Sequence, residues 1–419
     1  MKKPLLLFIT TVLFLIFFLF FLINNKTIVS RSIISNYYPE LIYSSLSMIF
    51  DSNINSKRIS NDYNVLFLPK TQYVSLGFEK KKLDFLWEDP LSKRFWKKRK
   101  SFFLEIFEDK IFFTDTLGNF YYSGVKKLKN KELDLKKIKT NLEKNSSSQL
   151  KVLDFHIFKK KIFVSKVLRI DQCNYLTVDI ADINLEFLEF KNIFSSQNAN
   201  ECVSGKIQGG KIENFNLNKI LVTASADIDF SKDTPDVKAQ NDNSLFGKTL
   251  LIDTINPGYE IYNKGHRVSL GLLVDDKFIF STENGPRGGD EINLELKGKN
   301  YGWGLASYGS KYSKNELFLD HEKHNFQEPI FSFIPSIGIS EIIKLNDNFA
   351  NEWYDNYLVA SLNYKHLIRL KLNKDKTKVL FTENIYIGER IRDLGYIEKE
   401  KIIVLALEDS GSIGILFRK

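Results

Sequence analysis

The sequence predicts an all-β protein, a six-bladed β-propeller preceded by an N-terminal transmembrane helix. A short apolar strand motif recurs six times between residues 109 and 405. No helical periodicity of useful length interrupts those copies. Ahead of them, a nearly continuous apolar run from Pro4 to Ile23 follows two lysines.

The apolar run is broken only by Thr10 and Thr11 and is long enough to span a bilayer as a helix. Its exit, Leu22-Ile23-Asn24-Asn25-Lys26, lacks the small residues of a cleavage site, so it reads as an uncleaved anchor. Lys2 and Lys3 favour a cytoplasmic amino end, with Lys26 and Arg31 pulling the other way. The expectation is a single pass through the inner (cytoplasmic) membrane, with the propeller on the periplasmic side. The chain then divides into an anchor (1–23), a juxtamembrane helix and linker (24–97) and the propeller (98–419).

Within the second segment, Ile33, Ile34, Tyr37, Tyr38, Leu41, Ile42, Leu46 and Ile49 fit an amphipathic helix kinked at Pro39. Asp51 to Asp62 is polar and turn-rich, as a linker is. The run Lys93 to Lys100, KRFWKKRK, is a solvated face or a contact to anionic lipid headgroups. Val125 to Asn145 is lysine-rich and reads as an exposed loop insertion.

Charge narrows the partners. The net charge of +9 is the difference between 60 bases and 51 acids, with no concentrated basic stripe, which argues against nucleic acid. Aromatic residues at 14% argue against disorder. The two cysteines, Cys173 and Cys202, form a disulfide in an oxidising compartment or stay as buried thiols. Neither has a Cys or His at zinc-ligand spacing.

The repeat begins with a turn, usually carrying Lys, continues with three or four apolar or β-branched residues and closes on a small polar one. Its copies are Asp109–Thr114, Lys160–Ser165, Asn218–Thr223, Asp276–Ser281, Asp355–Ser361 and Glu400–Leu405. Short apolar runs bounded by turns are buried strands. Starts roughly 45 to 80 residues apart suit a unit of several strands, as in a propeller blade. On the strands alone, a β-sandwich is the competing architecture.

Chemistry concentrates in Ser281 to Trp303, STENGPRGGDEINLELKGKNYGW. Asn284-Gly285-Pro286 and Arg287-Gly288-Gly289 bend the backbone and run into the paired acids Asp290 and Glu291. Main-chain carbonyls beside carboxylates are what a hard cation such as calcium requires. A solvated surface hairpin is the plainer alternative.

This string resembles the signature of the glucose/sorbosone dehydrogenases, the soluble pyrroloquinoline quinone (PQQ) sugar dehydrogenases. Weaker likeness continues in Gly265-His266-Arg267 with Gly271, in Pro329 to Ser336, in Leu358 to Leu370 and in Arg390-Ile391-Arg392-Asp393, all in the family's order. The resemblance implies a six-bladed propeller and PQQ- and calcium-dependent oxidation of an aldose sugar or other small carbohydrate. It implies one calcium at the backbone of Gly285 and Pro286, against the cofactor. A second would sit at Asp290, Glu291 and the backbone of Tyr301. Arg267, Asn284, Arg390 and Arg392 would face PQQ, whose carboxylates suit planar guanidinium forks. For Arg390 and Arg392 a structural ion pair with Asp393 is the alternative.

The family's catalytic histidine, which takes the proton from the sugar's anomeric hydroxyl, falls on Ile207 in Ile207-Gln208-Gly209-Gly210-Lys211. Isoleucine cannot accept a proton. Val268 and Asn363 likewise stand where the family has Asn and Lys. The sequence therefore implies either oxidation with an impaired or altered base, or a non-catalytic, calcium-stabilised propeller binding a carbohydrate or protein.

Overall fold

The computed structural model describes residues 65–67, 74–83, 100–129, 133–142, 149–226, 237–256, 258–311, 318–346 and 348–419. The expected anchor at 1–23, the amphipathic helix and linker up to Asp62, and all of Lys93–Lys100 except Lys100 lie outside them. Among the described residues no helix is long and apolar enough to cross a membrane.

Six sheets of four or five strands are formed. Blade 1 runs Phe102–Phe107, Lys110–Asp115, Phe120–Gly124, Lys136–Thr140, and blade 2 Gln149–Phe158, Lys161–Ile170, Cys173–Asp182, Lys191–Ser195. Blade 3 is Gly209–Asn214, Lys219–Ala224, Lys248–Asp253, Tyr259–Lys264, and blade 4 Ser269–Asp275, Phe278–Glu283, Asp290–Leu294, Phe331–Phe333. Blade 5 is Ile339–Leu345, Asn356–Ser361, His366–Leu372, Val379–Tyr386. The first strand of each blade touches that of the next, and the last of these, Ile391–Ile397 of blade 6, returns to Phe102–Phe107. The ring is closed, and these inner strands surround an axial channel.

Blade 6 closes the circle with both ends of the sequence. Ile391–Ile397, Ile402–Leu407 and Ser412–Arg418 come from the carboxyl end, and Leu76–Lys82 pairs antiparallel with Ser412–Arg418 across seven residues. Val65–Phe67 pairs in turn with Leu76–Lys82, so the propeller reaches back to Val65, ahead of the boundary expected at residue 98. Pairing with a strand from early in the sequence covers the edge that Ser412–Arg418 would otherwise leave open.

Each of the six repeat copies is the second strand of its blade. Second strands are buried on both faces, which is why they read as unbroken apolar runs. The turn that opens the motif explains its Lys and Asp. Glu108, Lys159, Lys160, Asp276, Asp355 and Lys401 have φ between +50° and +62°, turning the chain into the second strand, through a short connection in every case but the longer one before Asp355. The closing polar residue fastens blade to blade. Ser165 Oγ donates to Gly210 O and Thr223 Oγ1 to Ser269 O, while in blade 4 Thr282, one residue later, donates to Ser340 O. Such bonds contribute about 1 kcal/mol each when buried.

Among the described residues of Val125–Asn145, two regular elements replace the expected loop. Val125–Lys129 is a helical turn and Lys136–Thr140 the fourth strand of blade 1, because Val125, Leu128 and Ile138 are buried between the lysines. Cys173 and Cys202 are joined, with Cα atoms 5.5 Å apart.

Candidate functional site

Five of the six inner strands shift register by a bulge near their starts, at Val152/Asp154, Gly209/Ile212, Ser269/Gly271, Ile339/Ile342 and Ile391/Asp393. We call this end of the ring the upper face. Bulges re-aim side chains at barrel rims and sites, and here they turn charged groups into the channel. Lys211 Nζ lies 2.6 Å from Asp154 Oδ1, 2.5 Å from Glu341 Oε2 and 4.0 Å from Asp393 Oδ1. Burial disfavours the ammonium, but Asp154, Asp393 and Glu341 outweigh that and hold its pKa well above the ordinary lysine value. Burial lifts Asp154 to about 7 against the pull of Lys211.

Below this cluster a cavity of about 230 Å³ continues down the axis. There His156 Nδ1 meets Glu105 Oε1 at 2.7 Å and its Nε2 lies 3.4 Å from Glu213 Oε1. Burial pushes the imidazole down, yet Glu213 and Glu105 prevail and raise it to about 10. His156 is a cation of the scaffold rather than a base.

The predicted site residues lie on loops or, for Asp290, Glu291 and Arg392, at the upper ends of strands, in two groups. The first surrounds the blade 4 loop. Asp290 Oδ1 accepts from Gly285 N (3.0 Å) and Ser336 Oγ (2.7 Å), and its Oδ2 from Ile337 N (2.9 Å) and Ile339 N (3.0 Å). One carboxylate thus binds the Gly-rich loop to the start of blade 5. The loop needs glycine at 289, where φ is +70° and a Cβ would collide with Tyr308 and Gly309 backbone. Asn284 Nδ2 adds a bond to Ile339 O at 2.6 Å.

Arg267 is buried, stacks on Trp303 at 5.1 Å and donates through Nη1 to Asn284 O (2.7 Å) and Gly285 O (3.0 Å). A guanidinium therefore already faces one of the carbonyls, Gly285 O, that the resemblance assigns to a cation. His266 turns away from it, between Glu283 Oε2 (2.8 Å) and Glu295 Oε2 (3.4 Å).

Glu291 differs from its neighbour. It is buried, it accepts from Asn293 Nδ2 at 3.4 Å, and His321 Nε2 stands 4.0 Å from Oε1. Desolvation, then Glu283, hold its pKa well above the ordinary carboxylate value. The same His321 Nε2 lies 3.1 Å from Tyr301 O, so two of the expected cation ligands flank one point. Among the described residues, no three His, Cys, Asp or Glu side chains form a group that could hold a metal.

The second group lies on blade 6. Arg390 Nε (3.0 Å) and Arg392 Nη2 (2.5 Å) converge on Glu408, not on Asp393. Glu408 also accepts from Ser101 Oγ at 2.6 Å. Burial pushes this carboxyl up, but Arg392 and Arg390 outweigh it and hold it at about 2. Asp393 instead accepts from Leu104 N at 2.9 Å, clasping blade 6 to blade 1. Arg390 Nη1 reaches Asn363 Oδ1 at 2.7 Å, so Asn363 keeps contact with Arg390 without a charge of its own. Arg392 leaves 19% of its side chain exposed.

Ile207, at the family's histidine position, belongs to the buried apolar cluster that also holds Leu153, Phe163, Val203, Leu245 and Phe246. It is 3% exposed. Val268 is likewise buried, against Ala226, Ala239 and Trp303. Sequence reasoning missed Glu408 and the Lys211 cluster. A signal for the cluster existed, since Lys211 ends the Ile207–Lys211 string and Asp393 ends the Arg390–Asp393 string.

Comparison with known proteins follows this geometry. The family model described as Glucose / Sorbosone dehydrogenase matches residues 172–416. The aldose sugar dehydrogenase YliI of Escherichia coli is 33% identical over 166 residues, covering 37% of this chain and 43% of that one. The chain spans less than half the length of the curated relatives it matches. The apo-form crystal structure of the soluble aldose sugar dehydrogenase from Escherichia coli superposes with a TM-score of 0.66 at 20% identity. It covers 82% of this chain and 99% of that one. The PQQ-bound form of an aldose sugar dehydrogenase from Streptomyces coelicolor gives 0.55 at 16% identity, covering 82% and 98%. At these identities the superpositions carry the fold alone.

Proposed function

Because this chain belongs to the glucose/sorbosone dehydrogenase family, we propose that its upper face binds PQQ and calcium and oxidises an aldose sugar through an altered proton acceptor. One observation carries the reading: Arg267, Asn284, Arg390 and Arg392 keep polar positions on the upper face while Ile207 is buried in the core.

The residues present suit the cofactor in part. Arg392, with its partly open guanidinium, and Arg390 beside it would meet the carboxylates of PQQ, and Glu408 fixes both forks in place. Arg267 and Asn284 would hold the opposite side. Glu291 suits a cation: it is a buried acid with acids near it and little donated to it, next to the Tyr301 carbonyl. Asp290 then acts one step removed, as the knot that shapes the loop. When bound, PQQ supplies a two-electron acceptor whose carbonyl a divalent cation polarises.

The chain itself must orient the sugar and take its hydroxyl proton. Residue 207 cannot take it, and His156 and His266 are held protonated between carboxylates at neutral pH. The proton acceptor therefore differs from the family's. The disulfide supports an exported protein, in keeping with the periplasmic side expected from the N-terminal anchor.

Titrating the full chain with PQQ, with and without calcium, tests the binding half by the cofactor's absorbance. Saturable, calcium-dependent binding that weakens at least about tenfold in Arg392→Ala is expected. Absence of any binding would refute the proposal.

A further inference from the structure

Blade 5 carries an aromatic group at the upper face that nothing above uses. The turn after Ser361 points Asn363 inward to Arg390 Nη1, while the next residue, Tyr364, is 43% exposed. His366 lies face to face with Tyr364 at 3.8 Å and is tilted against Tyr386 at 5.0 Å. The third and fourth strands hold this pairing, since His366 sits opposite Tyr386 in their register. Ile387 N and Gly388 N both donate to Lys365 O, closing the platform against the loop that leads to Arg390. Asn384 Nδ2 reaches Tyr364 Oη at 3.3 Å, and Tyr386 is 40% exposed.

We propose that Tyr364, His366 and Tyr386 form a stacking subsite for a further, neutral pyranose ring, so that the sugar taken at this face is an oligosaccharide. This rests on the reading of the upper face as an aldose-oxidising site. Three features choose that occupant. The platform is continuous with the Asn363–Arg390 contact, lying two strand spacings outward, about 10 Å, the reach of the second or third ring of a sugar chain. Its faces are aromatic with an amide and hydroxyls beside them, which suits the apolar face and equatorial hydroxyls of a pyranose. It is also electrically neutral: burial lowers the pKa of His366, and Lys365 is paired with Asp409 at 2.9 Å. Among the described residues, Lys365, the lysine of this turn, is already held by Asp409 and so is not free for a sulfated or phosphorylated chain.

The test is calorimetric titration of the full chain with glucose, cellotriose and maltotriose, alongside Tyr364→Ala, Tyr386→Ala and Tyr364→Phe. At least one trisaccharide is expected to bind about tenfold more tightly than glucose. Either alanine variant should erase that margin, and Tyr364→Phe, which keeps the stack, should preserve it. An unchanged melting temperature in Tyr364→Phe and Tyr364→Ala separates a lost subsite from a lost fold. Equal affinity for glucose and both trisaccharides, no sugar binding at all, or a margin that survives both alanine variants would overturn the proposal. Trisaccharide binding without any PQQ binding would leave the platform standing and sink the oxidation reading instead.

Discussion

Blades 3 and 4 meet the upper face with loops of opposite character. In blade 4 the acid after the double glycine accepts four hydrogen bonds, from its own loop and from the next blade. In blade 3 the approach to the first strand, Ile207 to Lys211, keeps its glycines but opens on an apolar core residue where the family places its base. Gly210 remains because φ is +76° and a Cβ there would strike Leu153 and Ser165. The difference teaches that this chain has kept what shapes the site and changed what would move a proton.

If blade 4's loop is structural in this sense, Asp290→Ala should have the largest effect. It orphans four donors, two of them buried main-chain N–H groups, and should cost about 4 kcal/mol or more, read from urea denaturation. A loss under about 1 kcal/mol would show that the knot is not needed. Lys211→Met comes next. It strips the cation from Asp154, Glu341 and Asp393, for a loss of about 3–5 kcal/mol at neutral pH. The deficit should shrink as acidification protonates the carboxyls.

Replacing blade 3's distinctive residue sharpens the comparison from the other side. Ile207→His should raise PQQ-dependent aldose oxidation by about 10² or more if the imidazole reaches the substrate, while burying a polar ring costs roughly 1–3 kcal/mol. Stopped-flow dye reduction and a thermal melt read the two effects separately.

The smallest expected effects are in pH dependence. Glu408 titrates near 2 in the fold against an ordinary 4.5, so its contribution is present above about 4.5 and fades as pH falls toward 2. Glu408→Gln should flatten that acid limb. His156 runs the other way: raised from 6.5 to about 10, its contribution is full below about 6.5 and is lost as pH rises through 10. His156→Gln should flatten the alkaline limb of stability between those values.

The repeat was legible because second strands are apolar on both sides, and Ile111, Phe112 and Phe113 or Ile220, Leu221 and Val222 have no polar interruption. Inner strands escaped notice because the channel requires charge in them, as at Asp154, Lys211, Glu341 and Asp393. Outer strands escaped for the reverse reason, with solvent-facing lysines hiding Ile138 in Lys136–Thr140. Leu76–Lys82 was missed because a strand that pairs with the far end of the chain leaves no local signature. Of the site, the string Ser281–Trp303 revealed the loop, but not that Arg267 would occupy its carbonyls or that Glu408 would bind both blade 6 arginines. Contacts between residues more than a hundred positions apart, such as that of Ser101 with Glu408, have no periodicity to announce them.

The most direct test of the central claim is the rate of aldose-dependent dye reduction by the full chain loaded with PQQ and calcium, across a panel of aldoses and oligosaccharides. A proton acceptor altered at residue 207 predicts bound cofactor with turnover well below roughly 1 s⁻¹, rising in Ile207→His. Turnover at or above that rate in the unmodified chain, with no gain on introducing the histidine, would contradict it.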